Sequence, residues 1–105
     1  MLQGTLDIKV LQTLAALGPS HGYDMAARIE QVSGGRVQLN MGTLYPGLMR
    51  LEPRGFVRGT WGVTESNRKA RFNTLTPAGR KQLAAEKREW SRMVTTMQAI
   101  LNGPS

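Results

Sequence analysis

Glycines and prolines divide the chain into short segments, and this division limits the folds that are open to it. Gly18-Pro19 and Gly34-Gly35 interrupt the first half, Pro53 and Gly55 follow in the middle, and Thr76-Pro77 precedes one last long segment. Proline cannot continue a helix, and both residue types favour the turns between elements. With 105 residues, of which 40% are hydrophobic, the chain has the length of one small domain with one modest core.

Apolar residues at helical spacing predict three short helices before the middle of the chain. The first covers residues 5–17 and is apolar on two sides, so we expect burial on both. The second covers residues 20–33, with Ser20 or His21 near its start. The third covers residues 43 to about 52 and has a single apolar stripe.

The start of the third helix is predicted from its proline. Pro46 has no N–H and fits without loss only in the first turn of a helix. Thr43 is a good N-cap, and a helix that begins there places Pro46 in that turn. The apolar stripe of this helix then directs a second set of residues away from the core. These outward-facing residues are Pro46, Met49, Arg50 and Pro53.

Two strands follow the third helix. Residues 56–63 and 70–76 are rich in β-prone side chains, and the polar, basic residues 64–69 lie between them. This pattern predicts a hairpin with a basic tip. Trp61 and Phe72 are expected to be buried within it.

A long helix is predicted to close the chain. Thr76 fits its N-cap and Pro77 its first position. Over roughly 25 residues Leu83, Trp90 and Met97 repeat every seven positions, which is typical of a coiled-coil seam. A long helix with one seam suggests that two copies of the chain pair. The residues predicted at the interface between the copies are Leu6, Val10, Leu83, Trp90, Met93, Val94, Met97 and Leu101.

The order of these elements predicts a fold class that is mostly α with a small β-hairpin. Three helices, a two-stranded wing and a further helix are the order of a winged helix-turn-helix domain. We therefore expect a DNA-binding domain in residues 1–76, followed by a dimerisation helix with a short tail in residues 77–105.

The charge of the chain is concentrated in one segment. The net charge is +7, of which residues 50–81 contribute +6, residues 1–49 nothing and residues 82–105 the remaining +1. A domain with such a segment has a basic face, which suggests nucleic acid first and a membrane surface second as its partner. A generally soluble basic surface is the plainer alternative.

Several classes of protein are disfavoured by what the chain lacks. There is no cysteine and only one histidine, so neither a disulfide nor a familiar type of metal site is expected. No catalytic pair and no phosphate-binding glycine loop is apparent, so we expect neither an enzyme nor a bound cofactor. No apolar run approaches the ~20 residues of a membrane span, and the N-terminus lacks the layout of a signal peptide. A cytoplasmic location is expected.

The chain resembles the PadR family of transcriptional regulators over nearly its whole length, and is similar to the smaller branch with a single C-terminal helix. It departs from the family pattern at Pro53 and at Asn73. The matching motifs are Gly4-Thr5-Leu6-Asp7, His21-Gly22-Tyr23, Gly42-Thr43-Leu44-Tyr45-Pro46 with Leu48 and Leu51, Trp61-Gly62, Asn67-Arg68 with Ala70, and Leu75-Thr76 with Gly79.

The third helix is the expected reader of DNA. On its outer face only Arg50 has strong hydrogen-bonding power, and a guanine contact and a phosphate or solvent contact are equally open. Thr43, together with the N–H groups at the helix start, and the Tyr45 hydroxyl are candidates to hold phosphates, which the resemblance supports. Thr43 as a cap alone, and Tyr45 as partly core, are the alternatives. Asn40, just ahead of the helix, is a further candidate for the DNA backbone.

The predicted wing tip adds a second set of DNA contacts. Asn67, Arg68 and Lys69 place an amide and two charges on one turn, where a solvated loop is the alternative. The partner is then double-stranded DNA, bound by a homodimer at an inverted repeat. The resemblance implies a repressor that a small aromatic effector releases, and Trp90 is a candidate to stack on such an effector. A protein-interaction module and an RNA-binding module remain the alternatives.

Overall fold

The fold consists of three short helices, an antiparallel hairpin and one long helix, in the order predicted from the sequence. This confirms the mostly helical fold class with a hairpin after three helices. The computed structural model describes residues 3–103, so residues 1–2 and 104–105 of the two predicted segments lie outside the described residues. The elements are α1 (Gln3–Leu17), α2 (Gly22–Val32), α3 (Met41–Leu51), β1 (Val57–Val63), β2 (Lys69–Leu75) and α4 (Pro77–Asn102).

Helix α1 lies at the centre of the core. It packs against α2, α3, β2 and α4, so its predicted burial on two sides is provided by the chain itself. Val10, Leu11 and Leu14 are buried almost completely. Leu6 of α1 is buried as well, and every other element contributes to the core, through Met25, Leu44, Leu48, Leu51, Val57, Leu75 and Leu83.

This packing corrects three of the residues predicted at the interface between two copies. Leu6, Val10 and Leu83 are at most 6% exposed and belong to the core of the single chain. The reason is that α4 begins by packing on α1 and only later leaves the domain. Side chains on the first turns of α4 and on the inner faces of α1 therefore cover each other.

Helix α3 begins earlier than the proline suggested. Its N-cap is Asn40, whose side-chain oxygen accepts a hydrogen bond of 2.9 Å from the Thr43 N–H. The prediction of Thr43 as the cap is wrong, and Pro46 lies inside the helix. A proline there cannot donate to the carbonyl of Gly42, four residues earlier. The helix tolerates this loss because Leu44, with its neighbours on the apolar stripe, is buried in the core.

The wing, which consists of β1, β2 and the turn between them, is attached to the helices through β2. The strands pair in register from Val57 with Leu75 to Val63 with Lys69. Asn73 exchanges backbone hydrogen bonds with Ser20, and its side-chain nitrogen donates a further bond of 3.2 Å to the Ser20 carbonyl. Asn73, a departure from the PadR pattern, thus holds the wing to the segment before α2.

Helix α4 starts in the domain and then projects from it. The Thr76 hydroxyl accepts a bond of 3.0 Å from the Gly79 N–H, which confirms the predicted cap with Pro77 at the first turn. Gly79 has no room for a side chain, since a Cβ there would overlap the Phe56 carbonyl. The 26 residues of α4 make the molecule 60 Å long. None of the helices within residues 3–103 has the length and apolar character that crossing a membrane requires.

Candidate nucleic-acid interface

The exposed face of α3 carries few hydrogen-bonding side chains. Tyr45, Pro46 and Met49 are exposed, while the opposite stripe of the helix is buried against α1. Tyr45 presents a hydroxyl, and the other two present only apolar surface. This face can therefore contact a phosphate through Tyr45 and the edges of bases through apolar groups such as a thymine methyl.

Arg50 is held inside the chain by an acidic residue on α1. Its guanidinium donates to the Asp7 carboxylate at 3.2 Å, and the Asp7 side chain is only 11% exposed. The Arg50 side chain is 37% exposed, and its Nε is buried without a hydrogen-bond partner. A carboxylate this buried requires a cation, so Arg50 ties α3 to α1 in the free protein. Sequence reasoning missed this pair because the two residues are 43 positions apart.

The start of α3 brings two of the predicted contact residues together. The Asn40 side-chain oxygen is used in capping, which leaves its amide nitrogen as a donor, and Thr43 lies half-buried in the first turn. The first N–H groups of a helix and the positive end of its dipole favour a phosphate at such a place. Asn40 and Thr43 thus lie together at the start of α3, and the cap predicted at Thr43 is provided by Asn40.

The tip of the wing is a tight, hydrogen-bonded turn of residues 64–68. The Thr64 N–H donates to the Arg68 carbonyl at 2.8 Å, and the Thr64 hydroxyl accepts from the Arg68 N–H at 3.1 Å. Asn67 adopts a φ of 60°, a conformation that asparagine tolerates better than most residues. Asn67, Arg68 and Lys69 are all exposed, so the turn presents the three predicted wing residues to solvent.

A second ion pair fixes the angle of the wing against the end of α3. Arg71 of β2 binds the carboxylate of Glu52, and both side chains are mostly buried. The guanidinium lies over Gly59 on β1, where any side chain would collide with it. Gly59 lies two positions before Trp61, the residue of β1 that pairs with Arg71.

A cleft lies between α3, the start of α2 and the wing, and we call it the wing cleft. Its volume is about 450 Å³. Trp61 lies in its wall and is 63% exposed, so the prediction that this residue is buried in the wing is wrong. The Lys69 Nζ lies 5.3 Å from the centre of its ring. The wall of the cleft includes the side chains of Tyr45, Leu48, Trp61, Arg68, Lys69 and Arg71.

The basic segment is divided between structural and exposed positions. Arg50 and Arg71 are paired with carboxylates, and the Arg54 guanidinium lies 4.9 Å from the centre of the Phe56 ring. Phe72, the other aromatic residue expected to be buried in the wing, is half-buried and meets His21 edge to face. The exposed cations of the segment without such a contact are Arg58, Arg68, Arg80 and Lys81. Lys69 is exposed as well, beside Trp61.

His21 serves as the N-cap of α2. Its Nδ1 accepts from the Asp24 N–H at 3.4 Å, and its Nε2 lies 3.2 Å from the Asp24 carboxylate. This is the packed or capping histidine that the sequence favoured. Among residues 3–103 no group of three metal-binding side chains comes together.

The far part of α4 exposes the rest of the predicted interface. Trp90, Met93 and Met97 are each close to half-exposed, Leu101 is more so, and Val94 is half-buried. Trp90 does not line the wing cleft, so the two exposed tryptophans of the chain belong to separate surfaces.

The function of this fold is indicated by its similarity to a known protein family. The model of the transcriptional regulator PadR-like family matches residues 10–85, from the middle of α1 into α4. The chain belongs to the PadR-like family. Its members are transcriptional regulators, which implies DNA binding and confirms the prediction that the chain is not an enzyme.

The chain is also similar to individual proteins. An uncharacterised 37.1 kDa protein of transposon TN4556 in Streptomyces fradiae is 44% identical over 90 residues, which are 85% of this chain and 24% of that protein. The chain thus spans about a quarter of that relative's length. A transcriptional regulator from Clostridium thermocellum has a TM-score of 0.81 at 25% identity, over 90% of this chain and 88% of its own. A Streptococcus mutans UA159 protein has a TM-score of 0.81 at 26% identity, over 97% and 91%.

The ion pair between α1 and α3 is testable by a double-mutant cycle. We expect Asp7→Ala and Arg50→Ala each to lower the free energy of unfolding by about 1–3 kcal/mol, because each leaves a desolvated partner. The double variant should lose less than the sum, with a coupling of at least ~0.5 kcal/mol. Urea unfolding followed by circular dichroism measures all four proteins.

The matched control for this cycle pairs Asp7→Ala with Arg54→Ala. Arg54 is a basic residue of the same segment that lies over Phe56 instead of beside a carboxylate. That cycle should be additive. If the Asp7→Ala and Arg50→Ala effects on the free energy of unfolding were also additive, the ion pair between Asp7 and Arg50 would be contradicted.

Proposed function

We propose that this PadR-like protein is a homodimeric repressor that binds double-stranded DNA at an inverted repeat and leaves it when a small-molecule effector binds. The proposal of a dimer is supported by the exposed apolar stripe of α4. The family assignment supports the regulator, and the exposed residues of α3 and the wing support the DNA contacts. A regulator that binds DNA in this way acts in the cytoplasm.

The stripe of α4 begins in the core and continues beyond it. Each residue of an α-helix turns by about 100°, so Leu83, Trp90, Val94 and Met97 lie within one narrow face. Leu83 is 6% exposed because α1 covers it, whereas Trp90, on the same face two turns later, is 45% exposed. A contiguous apolar stripe that its own chain does not cover favours a protein partner, and a second copy offers an identical stripe.

Some of the proposed DNA contacts would position the protein on the DNA backbone, and others would read the bases. Asn40, Thr43 and Tyr45 at the start of α3 would hold phosphates, and Arg68 and Lys69 of the wing would hold the backbone or a narrow minor groove. Arg50 is engaged by Asp7, so base reading by hydrogen bonds is sparse on α3. Affinity then depends mainly on phosphates and on the shape of the DNA. In a two-fold dimer the half-sites lie about one helical turn apart.

Trp90 is the proposed contact of an aromatic effector at the dimer interface. It is the one aromatic residue on the stripe within the described part of α4, and a second copy would bring an equivalent ring to the same interface. Two such rings could enclose a flat ligand.

One observation favours a second candidate function. The exposed Trp61 beside Lys69 and Tyr45 offers a ring on which an unpaired base of RNA would stack. Competition between duplex DNA and a structured RNA of equal length distinguishes the two functions. The repressor predicts that the duplex binds more tightly, and the RNA-binding module predicts the reverse.

The dimer is tested by a charge placed on the stripe. Trp90→Glu should convert the protein into a monomer, because a carboxylate on this face would be desolvated against the second copy. Light scattering over a tenfold dilution measures the mass, and circular dichroism confirms that the helices remain. Ser91→Glu is the matched control, since this exposed neighbour lies off the stripe and should leave the dimer intact. A dimeric Trp90→Glu variant would contradict the proposal.

The wing is tested by the salt dependence of binding. Replacing Arg68 and Lys69 together by Ala should reduce the slope of log affinity against log salt by roughly one to two, because two phosphate contacts are lost. Replacing Lys87 and Arg88 of α4, which removes the same charge from another surface, should leave the slope near that of the parent protein. An unchanged slope in the Arg68 and Lys69 variant would show that the wing does not contact phosphates.

A further inference from the structure

Arg50 is the only charged residue of α3, and its direction determines which bases this helix can read. Because each residue of a helix turns by about 100°, Arg50 lies close to Pro46 around the helix, at the edge of the exposed face. The rest of that face consists of Tyr45, Pro46 and Met49, none of which can form two hydrogen bonds to one base. A guanidinium can do so, through O6 and N7 of guanine.

The Asp7 carboxylate draws the Arg50 side chain away from the exposed face. A guanidinium nitrogen of Arg50 donates to Asp7 at 3.2 Å, and the same nitrogen lies 3.9 Å from the place that a Cβ on Gly47 would occupy. Gly47 is on the buried side of α3, so Arg50 folds back towards α1. Among residues 3–103, Asp7 is the one carboxylate that forms an ion pair with Arg50. A single residue of α1 thus determines the direction of this side chain.

The ion pair uses little of the hydrogen-bonding capacity of Arg50. It rests on one hydrogen bond to one oxygen of Asp7, whereas a forked pair would have two. The Arg50 Nε is buried and has no hydrogen-bond partner. An arginine with an unused donor gains hydrogen bonds when it reaches a pair of acceptors. Loss of the Asp7 charge should therefore be sufficient to release the side chain.

In the parent protein the ion pair should persist on DNA. If Arg50 turned to a base, Asp7 would remain as an unpaired carboxylate with a side chain only 11% exposed, next to a polyanion. Breaking a buried pair in this way costs more free energy than one forked guanine contact returns. The parent protein should therefore be indifferent to the base pair nearest Arg50.

We propose that Asp7 is a specificity-determining residue, which withholds Arg50 from the bases, and that loss of its charge turns Arg50 into a reader of guanine. Asp7 is a positioning residue, since it acts on DNA only through Arg50. The inference rests on the proposed function, in which the exposed face of α3 meets DNA. It gives α1, a helix of the core, a part in the choice of the DNA sequence.

The proposal is tested by selecting bound sequences from random duplexes with the parent protein and with Asp7→Asn. The Asp7→Asn pool should gain one guanine in each half-site that the parent pool does not require. Changing that guanine to adenine should weaken binding by Asp7→Asn at least about fivefold, and binding by the parent less than twofold. Adding Arg50→Ala to Asp7→Asn should abolish the preference, which a merely structural role of Asp7 does not predict.

Glu89→Gln is the matched control for the change in charge. It also removes a carboxylate from an arginine, since Glu89 pairs with Arg92, but this pair is exposed on α4. The added positive charge should tighten binding to all duplexes alike. The base preferences of Glu89→Gln should therefore remain those of the parent.

A second variant makes the test independent of the stability of Asp7→Asn. Asp7→Leu combined with Arg50→Met replaces the ion pair by apolar side chains, an exchange that proteins often tolerate. It should keep the base preferences of the parent, because Arg50 reads no base there. Altered preferences in this variant, or no new guanine with an Asp7→Asn protein that circular dichroism shows to be folded, would overturn the role of Asp7. A parent protein that selects no duplex would instead contradict the proposed function on which that role rests.

Discussion

Burial of α1 joins α2, α3, β2 and α4 into one core. Val10 and Leu11 of this helix are fully enclosed. Its Asp7 also binds Arg50 of α3, so the same helix that forms the core helps to position α3. Because the start of α4 completes this core through Leu83, the projecting part of α4 leaves the domain in a direction that the core determines.

The basic segment has two physical roles that its sequence does not separate. Arg50 and Arg71 stabilise the arrangement of α3 and the wing through ion pairs, and this use withdraws them from DNA. Arg68 and Lys69 remain exposed at the wing, next to the exposed ring of Trp61. The charge available to a ligand is thus smaller than the net charge suggests. Under the proposed function, this surface suits phosphate contacts rather than hydrogen-bonded base reading.

Local patterns predicted the order and type of the elements, and long-range contacts explain where the predictions failed. The cap at Thr76 depends only on residues nearby in the chain, so the sequence was sufficient to predict it. The cap at Thr43 was wrong, because burial of the apolar stripe of α3 compensates for a proline inside the helix. Leu83 and Trp90 share one stripe, and only the packing of α4 on α1 determines which of them is covered.

Dimeric binding of duplex DNA through α3 and the wing can be measured by selecting bound sequences from a pool of random duplexes. The enriched duplexes should share an inverted repeat, with half-site centres about 10 base pairs apart. Few guanines should be strictly required within each half-site, since Arg50 is held by Asp7. A pool that shows no enrichment, or that yields a single unrepeated site, would contradict dimeric binding.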